Sequence, residues 1–144
     1  MPEIGFYHLT RTDIAAVLPP LLGRSLQAGE RVVVVCPDAA RVAALDAALW
    51  LADWLPHGTK ATPHPEWQPI FLAHEDVNPA GAGFLFRIGG AAADTAPYKR
   101  VFDLFDGNDE EAVLAARARC RVAKAAGHNL TYWKQSETGW EKAG

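Results

Sequence analysis

Cysteine is scarce in this chain. Only Cys36 and Cys120 occur among 144 residues, they lie far apart, and neither belongs to a C-x-x-C pair. This scarcity excludes a disulfide framework or a cysteine zinc site as the basis of the fold. Cys36 ends a valine-rich run and is predicted to lie in the core, whereas Cys120 stands among basic residues and is predicted to be partly exposed.

Long hydrophobic runs are also missing. No segment approaches the ~20 apolar residues that a membrane-spanning helix needs. The first residues, MPEIGFYHLTRTD, lack the basic-then-apolar order of a signal peptide. We therefore expect a cytoplasmic protein that makes no membrane contact.

Positive charge is in deficit. Fourteen Lys and Arg against 17 Asp and Glu give a net charge of -3, with a pI near 5.9. Because clustered cations drive binding to a phosphate backbone, no direct DNA binding is expected. The hydrophobic fraction of 49% and charged fraction of 22% are typical of a globular protein. The length suits a single domain.

Side chains arranged for catalysis or cofactor binding are few. Both serines lie outside any G-x-S-x-G elbow, and the Gly-rich segment 78–83 precedes a strand, so it does not match a nucleotide-binding loop. None of the five histidines has the H-x-x-x-H or H-x-H spacing of a metal site. We therefore predict no catalytic residue, metal or cofactor. The alternative is a small α/β hydrolase or transferase whose long loop carries a site of His57, His64 and His74.

Strands and helices alternate through the first half of the chain. Alternation of this kind predicts a mostly parallel sheet flanked by helices, an α/β fold. Five strands are predicted, at Glu3–Leu9, Arg31–Cys36, Ile70–His74, Phe84–Ile88 and Arg100–Phe105. Helices are predicted from Asp13 to Ala28, where Pro19 and Pro20 should kink or divide the helix, and from Pro37 to about Asp53.

A third helix follows the turn Asp106-Gly107. Asn108 is the predicted N-cap, with Glu111 three residues on, and Gly127 is predicted to end the helix in a left-handed conformation. On a helical wheel Leu114, Ala118, Val122 and Ala125 form an apolar stripe that should cover the sheet.

A basic flank is predicted beside that stripe. Val113, Arg117, Cys120, Arg121 and Lys124 share it, while Arg119 should face solvent. Cations beside apolar surface suit an anionic ligand with an apolar part. Alternatively, they only complement the helix dipole and keep the surface soluble.

Aromatic residues gather at the end of the second helix. Trp50 and Trp54 are four residues apart and share a face, which Leu55 and Pro56 extend into the loop. Exposed Trp and Leu side chains are typical anchors of protein interfaces. The alternative is that the indoles belong to the core.

Three segments together resemble the chi subunit of bacterial DNA polymerase III, an accessory subunit of the clamp loader. They are FYHLTRT, RVVVVCPDAARVAALDAALW with the following LPHG, and RVFDLFDGNDEEAVLAARARCRVAKAAGHNLTYW. The resemblance spans roughly residues 4 to 133. We therefore expect one chi-like domain at 1–133 and a polar, flexible tail at 134–144.

The resemblance implies a Rossmann-like fold without a nucleotide site, and a non-catalytic bridge. Its partners would be the psi subunit of the clamp loader and the acidic C-terminal tail of single-stranded-DNA-binding protein (SSB). The psi-binding residues would include Trp50 and Leu55, and the neighbouring Trp54 is added from its position.

For the SSB tail, the family's arginine matches Arg117, and Lys124 matches a basic position. The family's lysine falls on Val113 and its tyrosine on Cys120, while Arg121 is an additional cation. We expect the apolar end of the tail to contact surface near Val113 and Phe105.

Overall fold

The computed structural model describes residues 2–51 and 55–143, which form a seven-stranded, mostly parallel sheet with three α-helices. In chain order its elements are β1 Glu3–Leu9, α1 Ile14–Gln27, β2 Val32–Val35, α2 Ala39–Leu51, a short 3-10 helix Pro65–Trp67, β3 Ile70–Ala73, β4 Phe84–Ile88, β5 Arg100–Asp106, α3 Glu110–Ala125, β6 Leu130–Ser136 and β7 Gly139–Lys142.

The strand order is β3-β2-β4-β5-β1-β6-β7, with every neighbouring pair parallel except β6 and β7. The predicted α/β class is confirmed, but the count of five strands is wrong. β6 and β7 were missed because their side chains are only partly buried, so their sequence lacks a continuous apolar run.

The predicted domain boundary at 133/134 falls inside β6. Residues 134–136 and 139–142 form a hairpin whose Trp140 packs edge-on against Tyr7, with 5.3 Å between ring centroids. The flexibility predicted for residues 134–144 stays a prediction.

The helices cover both faces of the sheet. Side chains of α1 and α2 pack with Tyr7, Val34 and Phe102 in one core cluster. Ala116 and Ala123 of α3 pack with Phe6 and other side chains in a second cluster on the opposite face. The result is a three-layer α/β/α arrangement, as predicted for alternating elements.

The two prolines do not divide α1. The helix is continuous from Ile14 to Gln27, with Pro19 and Pro20 inside it. Its apolar face continues across the prolines, and Leu18 and Leu22 are almost fully buried. Burial of this face offsets the helical hydrogen bonds that the prolines cannot donate.

Candidate functional site

The N-terminus of α3 is fixed by Asp109. Its carboxylate accepts hydrogen bonds from the backbone N–H groups of Glu111 (3.0 Å) and Ala112 (3.4 Å). The predicted cap, Asn108, is therefore wrong by one residue. Asn108 instead donates its side-chain N–H to the carbonyl of Thr10, at 3.1 Å. This bond ties the start of the helix to the end of β1.

The C-terminus of α3 ends in a Schellman motif. Gly127 has φ +90°, which confirms the predicted left-handed conformation. Its N–H donates to the carbonyl of Lys124, and the N–H of His128 donates to the carbonyl of Ala123. Because backbone groups at both ends of α3 have hydrogen-bond partners, the helix is a well-defined element on which side chains can be positioned.

The predicted orientation of α3 is wrong. The side chains facing the sheet are the buried Ala116 and Ala123, with Val113 and Cys120 partly buried beside them. The stripe that was predicted to cover the sheet lies on the opposite side, and its members are all exposed: Leu114, Ala118, Val122 and Ala125. Small residues allow the helix to approach the sheet closely, and the larger apolar side chains Leu114 and Val122 lie on its solvent-exposed side. We call Leu114, Ala118 and Val122 the apolar ridge.

A buried ion-pair cluster explains this orientation. Asp103 of β5 has no exposed surface and accepts two hydrogen bonds from Arg119, from Nε and Nη2, both at 2.8 Å. Arg87 of β4 reaches the same carboxylate through Nη2 at 3.0 Å. Arg119 was predicted to face solvent, but its pairing with Asp103 turns it toward the sheet. Breaking a buried bidentate ion pair costs much of the free energy of folding. The Arg119–Asp103 pair therefore sets the rotation of α3 about its axis.

A groove opens beside α3, above the carboxyl ends of β1 and β5. It has a volume of about 400 Å³ and is lined by His8, Gly107, Glu110, Val113, Leu114, Arg117 and Lys134. We call it the α3 groove. Its two cations come from different elements, Arg117 from α3 and Lys134 from β6. Its apolar side chains, Val113 and Leu114, come from α3.

His8 lies in the floor of the α3 groove. A hydrogen bond of 2.7 Å joins its Nδ1 to the hydroxyl of Tyr132. Burial, followed by the nearby charge of Lys134 and a smaller contribution from Arg117, lowers the pKa of His8. Burial likewise raises the pKa of the Tyr132 hydroxyl. The floor is therefore neutral near pH 7, and the groove's positive charge is carried by its rim.

Five residues that line the groove were not predicted from the sequence: His8, Gly107, Glu110, Leu114 and Lys134. Lys134 is the cation among them, and it was missed because it was assigned to the tail. Its position follows from strand pairing: His8 is opposite Phe105 of β5 on one side and opposite Lys134 of β6 on the other. Recognising residues 130–136 as a strand parallel to β1 would have brought Lys134 beside Arg117.

The remaining predicted tail-binding residues are dispersed. Phe105 is only 1% exposed and packs below the rings of His8 and Tyr132, so it supports the groove from beneath. Cys120 is partly buried against the second core cluster, in agreement with the partial exposure predicted for it. Arg121 and Lys124 are exposed on α3 and do not line the groove. Of the six residues, Val113 and Arg117 meet in the groove.

The aromatic surface at the end of α2 is present in part. Trp50 is 68% exposed and lies on the ring of His57, with 4.4 Å between centroids. Leu55 is half-buried and packs against the first core cluster. Trp54 lies outside the described residues. Leu51 is 90% exposed, so the accessible apolar area next to Trp50 comes from the helix as well as the loop.

His57 supports the Trp50 ring from below. It is buried, and hydrogen bonds of 2.8 Å join its Nδ1 to the carbonyl of Leu55 and its Nε2 to the carboxylate of Asp46. The bond to Asp46 links the chain on the two sides of the segment 52–54, and the bond to Leu55 fixes the ring locally. Trp50 therefore stands on a fixed base.

The three loop histidines engage separate partners. His57 contacts Asp46, His64 stacks on Trp67 at 3.7 Å, and His74 lies 4.0 Å from a carboxylate oxygen of Glu75. Within residues 2–51 and 55–143 no group of three or more His, Cys, Asp or Glu side chains is arranged to hold a metal ion. The alternative enzyme site therefore has no assembled ligand set in that part of the chain.

No helix in the described part of the chain is long and apolar enough to cross a membrane.

Comparison with known proteins identifies a family. Residues 1–131 match the model of the family described as DNA polymerase III chi subunit, HolC. A curated relative, the probable DNA polymerase III subunit chi of Rickettsia prowazekii (strain Madrid E), is 26% identical over 88 residues. These residues cover 59% of this chain and 53% of the relative, so the chain spans about half of the relative's length.

Proposed function

The chain belongs to the DNA polymerase III chi subunit family, and from this premise we propose that it is a non-catalytic accessory subunit in DNA replication. In this role it joins the clamp-loader complex, through the psi subunit, to the C-terminal tail of SSB. It acts in the cytoplasm and uses no cofactor.

The α3 groove is the observation that carries this proposal. Arg117 and Lys134 offer two separate cations, and Val113 and Leu114 offer apolar surface within the same 400 Å³. An acidic peptide with an apolar last residue needs this combination. A guanidinium holds a terminal carboxylate through two parallel hydrogen bonds, and apolar surroundings strengthen them.

In this proposal a second cation takes the place of the family lysine, which falls on Val113 in this chain. Lys134 supplies a cation from β6, across the groove from the helix. Glu110 lines the same groove and opposes an acidic ligand. We therefore expect micromolar affinity, about -7 to -8 kcal/mol, and strong weakening by salt.

The Trp50 surface is the proposed psi-binding site. Trp50 and Leu51 present a large exposed apolar area next to Leu55, and aromatic side chains on a fixed base are typical interface anchors. This surface belongs to α2, whereas the groove belongs to α3 on the other face of the sheet. The two partners can therefore bind at once.

A peptide titration tests the groove. We would measure fluorescence anisotropy of a labelled SSB tail peptide with the wild type, Arg117→Ala, Lys134→Ala and Val113→Lys. The first two variants should bind at least tenfold more weakly, since each removes a charge-assisted contact worth about 1.5–3 kcal/mol. Val113→Lys should bind more tightly.

Two controls make the titration specific. Arg24→Ala removes an exposed helical arginine from α1, on the opposite face of the sheet, and should bind like the wild type. A peptide with an amidated C-terminus should bind weakly to every variant. An Arg117→Ala protein that binds the tail peptide as tightly as the wild type would contradict the proposed site.

Recruitment to DNA is proposed to occur through protein contacts. The isolated protein, with its net charge of -3, should not bind a single-stranded oligonucleotide measurably at physiological salt. Tight binding to an oligonucleotide alone, weakening steeply with added salt, would contradict this.

A further inference from the structure

A second cavity lies on the other flank of α3. It has a volume of about 320 Å³ and lies between the second half of α3, the start of β1 and the segment that connects β4 to β5. It is lined by Ile4, Arg87, Thr95, Ala118, Arg119, Val122, Ala123, Ala126 and His128. The α3 groove shares none of these residues.

The positive charge of the arginines that line this cavity is not fully neutralised by Asp103. Two guanidinium groups, Arg87 and Arg119, share the single carboxylate of Asp103, which leaves one positive charge in excess. The side chain of Arg87 is only 12% exposed, and that of Arg119 only 21%. An uncompensated charge held away from water is unfavourable unless a counterion joins it.

Arg87 bears the larger share of this imbalance. Arg119 directs two N–H groups at Asp103, whereas Arg87 reaches the carboxylate with Nη2. The Nε of Arg87 is buried and meets no hydrogen-bond acceptor in the described part of the chain. Burial lowers the pKa of Arg87, and the neighbouring carboxylate of Asp103 only partly opposes this effect.

The walls of the cavity are mostly apolar. Ile4, Ala118, Val122 and Ala126 contribute methyl groups, and Val122 is 71% exposed at the surface. Ala118 and Val122 also belong to the apolar ridge, which therefore leads from the α3 groove to this cavity. Such walls favour a ligand with an apolar end over a fully hydrated inorganic ion.

We propose that this cavity is a second anion-binding site, which takes a small carboxylate with a short apolar group. The carboxylate lies beside Arg87 and Arg119 and completes the neutralisation of the Asp103 cluster. The apolar group packs on Ile4 and Val122. The site is independent of tail binding in the α3 groove, because its cations come from different residues.

Side-chain NMR provides a direct test. Butyrate is titrated into the 15N-labelled protein at low ionic strength while the Nε–H signals of Arg87 and Arg119 are followed. Both signals should shift and saturate in the millimolar range, as suits a ligand of so few atoms. Butyramide, which is neutral and of similar shape, should give no saturable shift. Inorganic phosphate should bind more weakly than butyrate.

Two variants separate binding from folding. Arg87→Met removes the excess charge but leaves the bidentate Arg119–Asp103 pair, and the Arg119 signal should then respond to butyrate at least tenfold more weakly. Val122→Asp places a carboxylate at the exposed mouth without touching the cluster, and it should weaken binding to a similar degree. Arg117→Met, in the α3 groove, should leave the butyrate response unchanged.

The outcomes are distinct from those of the peptide titration. Butyrate that causes no saturable shift, or that binds both Arg87→Met and Val122→Asp as tightly as the wild type, would overturn the second site while leaving the groove unaffected. Equal shifts from butyramide would show that charge is not recognised. Preferential binding of phosphate would overturn the carboxylate class.

Discussion

Replacing Asp103 by leucine should destabilise the protein more than any surface change. The carboxylate has no exposed surface and is the shared acceptor of Arg87 and Arg119, so Asp103→Leu leaves two guanidinium groups without a counterion between α3 and the sheet. Loss of one partner of a buried ion pair costs about 3–5 kcal/mol. At about 2–4 °C per kcal/mol for a chain near this size, the melting temperature should fall by roughly 10 °C.

The assay is urea unfolding followed by tryptophan fluorescence, since Trp133 and Trp140 pack against the first core cluster. Glu137→Leu is the control, because the Glu137 side chain is 84% exposed, and its effect should remain within about 0.5 kcal/mol. The triple variant Arg87→Met, Asp103→Leu and Arg119→Met should recover part of the lost stability, because apolar groups can replace a buried ionic cluster.

Two results would refute this reasoning. One is an Asp103→Leu protein that unfolds within about 1 kcal/mol of the wild type, which would mean that water reaches the cluster. The other is a triple variant as unstable as the single one, which would mean that packing, and not the uncompensated charge, causes the loss.

Three further predictions concern the two candidate surfaces. Trp50→Glu should abolish capture of a psi subunit. Because the indole is 68% exposed, the free energy of unfolding should change by no more than about 0.5 kcal/mol. A collapse of the melting temperature would show that Trp50 belongs to the core. Gly107→Ala should lower the free energy of unfolding in urea by about 1–3 kcal/mol and weaken tail binding. The new methyl group meets the His8 ring and lies 2.6 Å from the backbone oxygen of Leu9. Unchanged stability would contradict this close approach. Because the pKa of His8 is lowered from 6.5, mainly by burial and then by Lys134, the unfolded chain binds more protons than the folded one as pH falls through that value. The wild type should therefore lose stability relative to His8→Gln between about pH 7 and pH 5, and parallel pH profiles would exclude the effect.

The outline of the sheet could be predicted because its central strands are buried on both faces. β1 and β4 have the predicted bounds, and β2 is a run of four valines that are at most 1% exposed. Continuous apolar runs of this kind identify interior strands. Strand β6 is buried only in part, so its run of Thr, Tyr, Trp, Lys and Gln gave no comparable signal.

The orientation of α3 could not be predicted from its apolar residues. A helical wheel assigns the largest apolar side chains to the core, but here the helix approaches the sheet through Ala116 and Ala123. The deciding contact is the pairing of Arg119 with Asp103, two residues that lie on different elements. Sequence periodicity carries no information about such a pairing, so the basic flank was located only approximately.

The α3 groove joins parts of the chain that are very distant in sequence. His8 and Tyr132, which are hydrogen-bonded in its floor, are 124 residues apart. β1 cannot meet β6 until almost all of the intervening chain has been synthesised, which takes on the order of 10 s at about 5–20 residues per second. Closing so large a loop is entropically costly and slows folding. The groove should therefore be among the last parts of the protein to form, and a nascent chain should gain tail-binding ability only after β6 has left the ribosome.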